Sequence, residues 1–418
     1  MKKTIAFAMI VAMLLGMASF GSAEETTKIT FASYQWNEAG YGDFYRYAAE
    51  KFHERYPQYE IEEVSIPAAQ YWDKMIADCA SDCPPDIMLY KAERCPAMID
   101  AGELSDLAEL FSAETMTRLE TEFQPSQTST PVYQDGKLYG LYMQVASHQL
   151  MYNERLLNEA GIAVPTTVDE FVDAAIALTN GVDQYGYAFM TLAEDAFVYD
   201  IYMWALGFDA NIFTNGFHFD TDGVKEALRY YKKLFDAGVT PIGTDKNTYR
   251  TMFAQGKVAF LIDGAWVYSS AKSLEGSDYE NIKTTVVPFE TGLSVMSENL
   301  LTIPTDAVNK EGAALFLEML TEKEFQSLFT DLTNCSTGMK DAISDEWKEE
   351  NPWATGYIEG ADGATCVVSD MYALINNEIR KIILDECQEI LYSDADIDET
   401  VSSIQAQVEE LAEKNGLK

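Results

Sequence analysis

Apolar and polar positions along this chain follow two different rhythms. VAFLI between Lys257 and Asp263 is apolar throughout, IMLY within PPDIMLY is another short apolar run, and ITFAS (Ile29 to Ser33) reads as the first strand. Such runs fit strands covered on both faces, and Tyr59 to Ser65 predicts another strand. The segments between them carry helical spacing. They include FYRYAAEKFHERY (Phe44 to Tyr56), VPTTVDEFVDAAIALT capped by Thr167, YDIYMWALG, and VKEALRYYKKLFDAG between Asp222-Gly223 and Gly238. EGAALFLEMLTEKEFQSLF predicts one long helix, and the tail from Ser369 onward is mostly helical. Asp135-Gly136 predicts a hairpin turn, and Gly161 a helix stop after YNERLLNEA. Strand and helix alternate, which predicts an α/β fold built on parallel sheets.

Two stretches break the rhythm. Leu138 to Met151 is extended for unusually long, and KTTVVPF is extended between helical sets. No Gly/Ser linker occurs, and 418 residues exceed one comfortable core. The pattern therefore predicts two lobes joined by extended crossovers, with Leu138 to Val145 and Thr284 to Phe289 as the candidates. The expected division is 24–140 plus 286–333 for the N-terminal lobe and 141–285 plus 334–418 for the C-terminal lobe.

Residues 1–23 look like a secretory signal: Lys2 and Lys3, an apolar run from Thr4 to Leu15, then Gly21-Ser22-Ala23 as a small-residue cleavage site. No cysteine lies near that point, so a lipid anchor is not expected. No later segment reaches the length of an apolar membrane span. Export to a periplasm follows, or release from a cell with one membrane. The formal charge of −39 repels nucleic acid and anionic lipid. Six cysteines in an exported chain permit disulfides, and Cys79, Cys83 and Cys95 are close enough for local pairing. With three histidines and no paired Cys-x-x-Cys, no structural zinc is expected. DADIDE lacks the glycine and final glutamate of a calcium loop, so Asp394 to Asp398 are read as charge at a helix N-terminus. No cofactor or metal is expected.

Ligands in open α/β sheets gather beyond the carboxyl ends of strands. That places Trp266 after VAFLIDGA, and Tyr34, Trp36 and Asn37 after the first strand, at a candidate binding surface. Gly264 would let the chain turn sharply out of its strand. Asp263 is a hydrogen-bonding candidate, and Glu298 and Asn299 beside SENLLTIP are candidates facing a cleft. Trp204 and Tyr199 in YDIYMWALG are weighed as core against site. Gln144 and His148 suit a hinge.

The ordered set PPDIMLY, GELSDL, DGKLYGLYMQ, LMYNERLLNEAGI, PTTVDEF and MFAQGKVAFLIDGAW resembles the extracellular solute-binding proteins of ABC importers, in the family that includes maltose-binding protein. The resemblance spans most of the chain. It implies an α/β, two-lobed periplasmic-binding-protein fold with a hinge and a central ligand cleft. It also implies capture of a carbohydrate, with an oligosaccharide favoured, and delivery to ABC permease subunits by a monomeric, non-enzymatic protein. By the same resemblance, Trp266 matches an aromatic ligand platform. Tyr90, Glu93 and Arg94 match an aromatic, an acid and an arginine at the sugar, and Tyr372 lies near a further aromatic. A secreted glycoside hydrolase, or the same fold binding a polyamine or other small solute, are the competing readings. A hydrolase needs two carboxyls across a scissile bond, one of them raised in pKa.

Overall fold

The computed structural model describes residues 26–124, 132–134, 136–360 and 363–417. The expected signal segment, residues 1–23, and Asp135 of the expected hairpin turn lie outside them. Twelve strands occur among the described residues: β1 Thr27–Ser33, β2 Tyr59–Ser65, β3 Ile87–Lys91, β4 Tyr133–Gln134, β5 Lys137–Leu138, β6 Leu141–Ser147, β7 Gln149–Asn153, β8 Tyr185–Ala188, β9 Val258–Asp263, β10 Ile282–Thr285, β11 Ser294–Thr302 and β12 Ala364–Thr365. One large sheet runs β12-β11-β3-β1-β2, with β6 also on β11, a second runs β10-β7-β9-β8, and β4 pairs with β5 in a small two-stranded sheet. Each of the two larger sheets carries its own core. One is built around Phe31, Phe44, Tyr45 and Phe316, the other around Phe171, Tyr187, Trp204 and Phe260.

Neither sheet is wholly parallel. β1, β2, β3 are parallel, as are β8 and β9, but β11 runs antiparallel to β3 and β6, and β7 antiparallel to β9 and β10. The antiparallel members are the strands that pass between lobes, because a chain returning through a hinge enters its sheet from the opposite end. The crossings themselves sit a few residues from the expected places. β6 belongs to the first sheet and β7 to the second, with His148 alone between them. β10 pairs with β7, so Thr284 and Thr285 remain in the second sheet, and β11 carries the chain back.

Local chemistry explains the helix ends. Thr167 accepts from the Glu170 amide and Thr221 from the Val224 amide, so Thr221, just ahead of Asp222-Gly223, is the actual cap. Gly161 ends its helix at φ 67°. Asp396 accepts from the Glu399 amide and caps Ile397–Lys414. The expected long helix is two, Lys310–Leu320 and Lys323–Thr333. All six cysteines are free: Cys79 and Cys95 are buried in the first core while Cys83 faces solvent, so the local pairing is not made. Among the described residues no helix is long and apolar enough to cross a membrane.

Candidate functional site

Strand β9 is buried along its whole length, and its end delivers Asp263 and then Trp266 to the seam between the lobes. Trp266 opens the helix Trp266–Ser273 and is half-buried against both hydrophobic cores. His148 meets its ring edge-on at 5.4 Å, and the Arg250 guanidinium lies 5.7 Å from its centroid. Gly264 is needed here for space rather than for an unusual backbone angle. A Cβ on Gly264 would stand 2.2 Å from the indole, so only glycine lets the ring fold back over the corner. Gly264→Ala is therefore expected to displace the indole at a stability cost of about 1–3 kcal/mol. A shift in tryptophan emission with unchanged circular dichroism checks this; an unchanged emission spectrum would contradict it.

Asp263 is fully buried and held by Arg250 on both oxygens, Nε to Oδ2 at 2.7 Å and Nη2 to Oδ1 at 2.8 Å. Burial alone would raise this carboxyl, but Arg250 and Lys246 overcome it and hold the group well below the usual carboxylate range. Asp263 thus fixes Arg250 rather than offering itself to a ligand. His148, buried between Trp266 and Tyr199, is pushed down to about 3 by burial and stays neutral. Across the seam, Glu38 follows the 3-10 turn Gln35–Asn37. Its side chain is solvent-exposed at the rim, and the protein packed around that rim, opposed by Arg250 and assisted by Asp263, pushes the carboxyl up to about 7.

The other end of the seam joins the lobes directly. Tyr199 donates to the Glu93 carboxylate, and Lys91 donates to the Tyr199 hydroxyl at 3.1 Å. Arg94 reaches Asp195 at 3.1 Å and Asn377 at 3.1 Å. The same Asp195 oxygen takes Arg380 at 2.7 Å, and this pair of guanidiniums outweighs burial to keep Asp195 strongly ionised. Burial lowers the Lys91 ammonium. Trp72 lies beneath Lys91 at 5.5 Å and Arg94 at 5.1 Å. Tyr34 packs on Trp72 and its hydroxyl is 3.5 Å from Asn299 Oδ1.

Of the residues expected at a site, Trp266, Asp263, Tyr34, Glu93 and Arg94 converge on this seam. Asn37 is exposed and donates to Ser65 at 2.7 Å at the rim. Glu298 and Asn299 face inward from the middle of β11; Asn299 donates to Gln144 at 2.9 Å. Four do not belong to the surface. Trp36 is buried, its indole N–H donating to the Phe31 carbonyl at 2.9 Å and its ring packed on Phe31 and Tyr45. An amphipathic ring with an internal acceptor has no reason to stay in the cleft. Tyr90 and Trp204 are fully buried in the two cores, and Tyr372 is buried in the second. Sequence reasoning missed Trp72, Lys91, Glu38 and Arg250. The last had a signal: a carboxylate ending an all-apolar strand requires a cation within reach.

Burial raises Glu298 to about 7, with Glu93 adding and Cys366 opposing. An acid raised in the folded state favours folding while protonated, so this contribution is present below about 4.5 and fades as pH rises through 7. The stability difference between wild type and Glu298→Gln should move by roughly 2 kcal/mol between pH 5 and 8, in favour of the variant at pH 8. Denaturant titrations at the two pH values check it, and a pH-independent difference would contradict it.

Known proteins share this architecture. A maltose-bound MalE3 from T. maritima superposes with a TM-score of 0.82 at 19% identity, covering 92% of this chain and 99% of that one, which establishes the two-lobed binding-protein fold. A binding protein of Brucella abortus (strain 2308) is 24% identical over 330 residues, 76% of this chain and 77% of its own. A maltooligosaccharide ABC transporter solute-binding lipoprotein of Streptococcus pneumoniae (strain ATCC BAA-255 / R6) is 24% identical over 63% of this chain and 62% of its own. The family model for bacterial extracellular solute-binding proteins matches residues 47–355 of the 418, and the chain belongs to that family.

Proposed function

We propose that this protein is the extracytoplasmic substrate-binding component of an ABC importer, capturing a carbohydrate between its lobes and delivering it to a membrane permease. The observation carrying this reading is the half-buried Trp266 touching both cores, with the Arg250 guanidinium 5.7 Å from its ring. Sugar rings present apolar C–H faces and hydroxyl edges, so they need an aromatic plane with planar polar groups around it. Closure follows if the ligand contacts both lobes, because only differential contact shifts an open–closed equilibrium. The names of the maltose-bound and maltooligosaccharide relatives favour an oligosaccharide. The protein acts as a monomer, exported beyond the cytoplasmic membrane, with the lobes divided as the two extended crossings suggest. It carries out no chemistry on its cargo.

One observation suits a hydrolase: Glu38, raised to about 7, lies near an ionised Asp263. Both Asp263 oxygens are taken by Arg250, which leaves that pair without a free nucleophile or base. Thermal-shift screening over mono- and oligosaccharides, polyamines and glycerol phosphates tests the reading. Binding to the folded state alone raises the melting temperature, so oligosaccharides should shift it and the other classes should not. Stabilisation by a polyamine alone, or sugar turnover abolished by Glu38→Gln, would overturn it.

A further inference from the structure

Among the described residues the chain passes between the two cores three times. His148 separates β6 from β7, and residues 286–293 link β10 to β11. The third passage lies between Ala354, in the first core, and Val367, in the second. Backbone that leaves a sheet or ends a helix loses its regular partners, and each such group still needs one when buried. The Val287 N–H lies beyond the end of β10, and the Gly360 carbonyl beyond the helix Thr355–Glu359. Both residues are buried.

Gln149 supplies both partners. Its Oε1 accepts from the Val287 amide at 3.0 Å, and its Nε2 donates to the Gly360 carbonyl at 3.1 Å. The side chain is 1% exposed, and a buried amide is tolerated only when it is hydrogen-bonded. Its two bonds go to the other two passages. Its own backbone follows His148 directly and lies opposite Asp263 in the pairing of β7 with β9, the strand that leads to Trp266. Gly360 has a φ of −90°, which any residue adopts, yet a Cβ there would overlap the Gln149 amide. The passages are also bonded to one another. The His148 amide donates to the Val295 carbonyl at 3.0 Å, and the Gly356 amide to the Thr284 hydroxyl at 3.0 Å.

We infer that Gln149 is the pin of the hinge, the positioning residue that makes the three passages bend together. Held to one side chain, they turn the lobes about a single line. Without it each passage bends by itself, and the lobes take up many relative orientations. The inference rests on the lobe closure proposed above and is independent of what the ligand is.

Two variants test it. Gln149→Met keeps the length of the side chain and removes both bonds, whereas Gly360→Ala keeps the amide and pushes it off its partners. With dyes at Asp73 and Glu226, single-molecule energy transfer on the unliganded protein should show a spread of inter-lobe distances about twofold wider in both variants than in wild type. Affinity for the oligosaccharide that raises the melting temperature should fall about tenfold, because the ligand must then order passages that the pin had already aligned. Gln326→Met removes another fully buried amide, which donates to the Leu320 carbonyl at 2.6 Å inside the first lobe. It should lower stability and leave the distances as in wild type. Gly360→Ala decides alone where Gln149→Met does not fold. A wild-type spread in the hinge variants would overturn the inference and leave Gln149 a packing residue, as would equal broadening in Gln326→Met. Failure of every sugar to bind would strike the carbohydrate reading alone, since the distances are read without ligand.

Discussion

Trp266→Ala is expected to weaken oligosaccharide binding by about 10- to 100-fold, the loss of a central aromatic anchor. The indole is the half-buried ring that meets His148, Arg250 and both cores at once. Truncation removes the plane against which a sugar's C–H face would pack. Trp266→Phe keeps a smaller plane and should retain part of the affinity. Calorimetry on the two variants checks this order. Alanine and phenylalanine variants that bind as wild type does would remove Trp266 from the site.

Asp263→Asn should have the largest effect on folding, about 3 kcal/mol, because it removes the counter-charge of the largely buried Arg250 guanidinium. Asp263 has no exposed surface, and Arg250 makes two bonds to it at 2.7 and 2.8 Å. Breaking one half of a buried pair costs more than removing both. The double variant Asp263→Leu/Arg250→Met should therefore recover most of the stability while still binding sugar poorly, since Arg250 no longer faces the cleft. Urea unfolding of the single and double variants separates the two effects. A single variant within about 0.5 kcal/mol of wild type would show the pair to be an ordinary surface contact.

The sheets were legible where residue type and burial coincide. VAFLI and IMLY are apolar on both faces because helices cover both, and their periodicity alone placed β9 and β3. The direction of the crossing strands was not legible, since it depends on which end of a sheet the chain re-enters. The site was read in part. A strand end predicts that a residue is near the cleft, but not which way it points. Trp266 and Trp36 both follow strand ends, yet one spans the seam and the other finds an acceptor inside its own lobe. Helix Asp195–Phe208 is apolar nearly all round, so nothing in its pattern distinguishes Tyr199, at the seam, from Trp204, in the core. Trp72 and Lys91 were missed because their role comes from contacts across the lobes, which no local pattern encodes.

The most direct test is the distance between the lobes in solution. Dyes placed at the exposed positions Asp73 and Glu226, one on each lobe, report it by single-molecule energy transfer. Titrating the oligosaccharide that raises the melting temperature should convert an open population into a closed one, with a midpoint equal to the calorimetric dissociation constant, and Trp266→Ala should move that midpoint upward. Saturating sugar that binds without changing the distance would contradict capture by lobe closure.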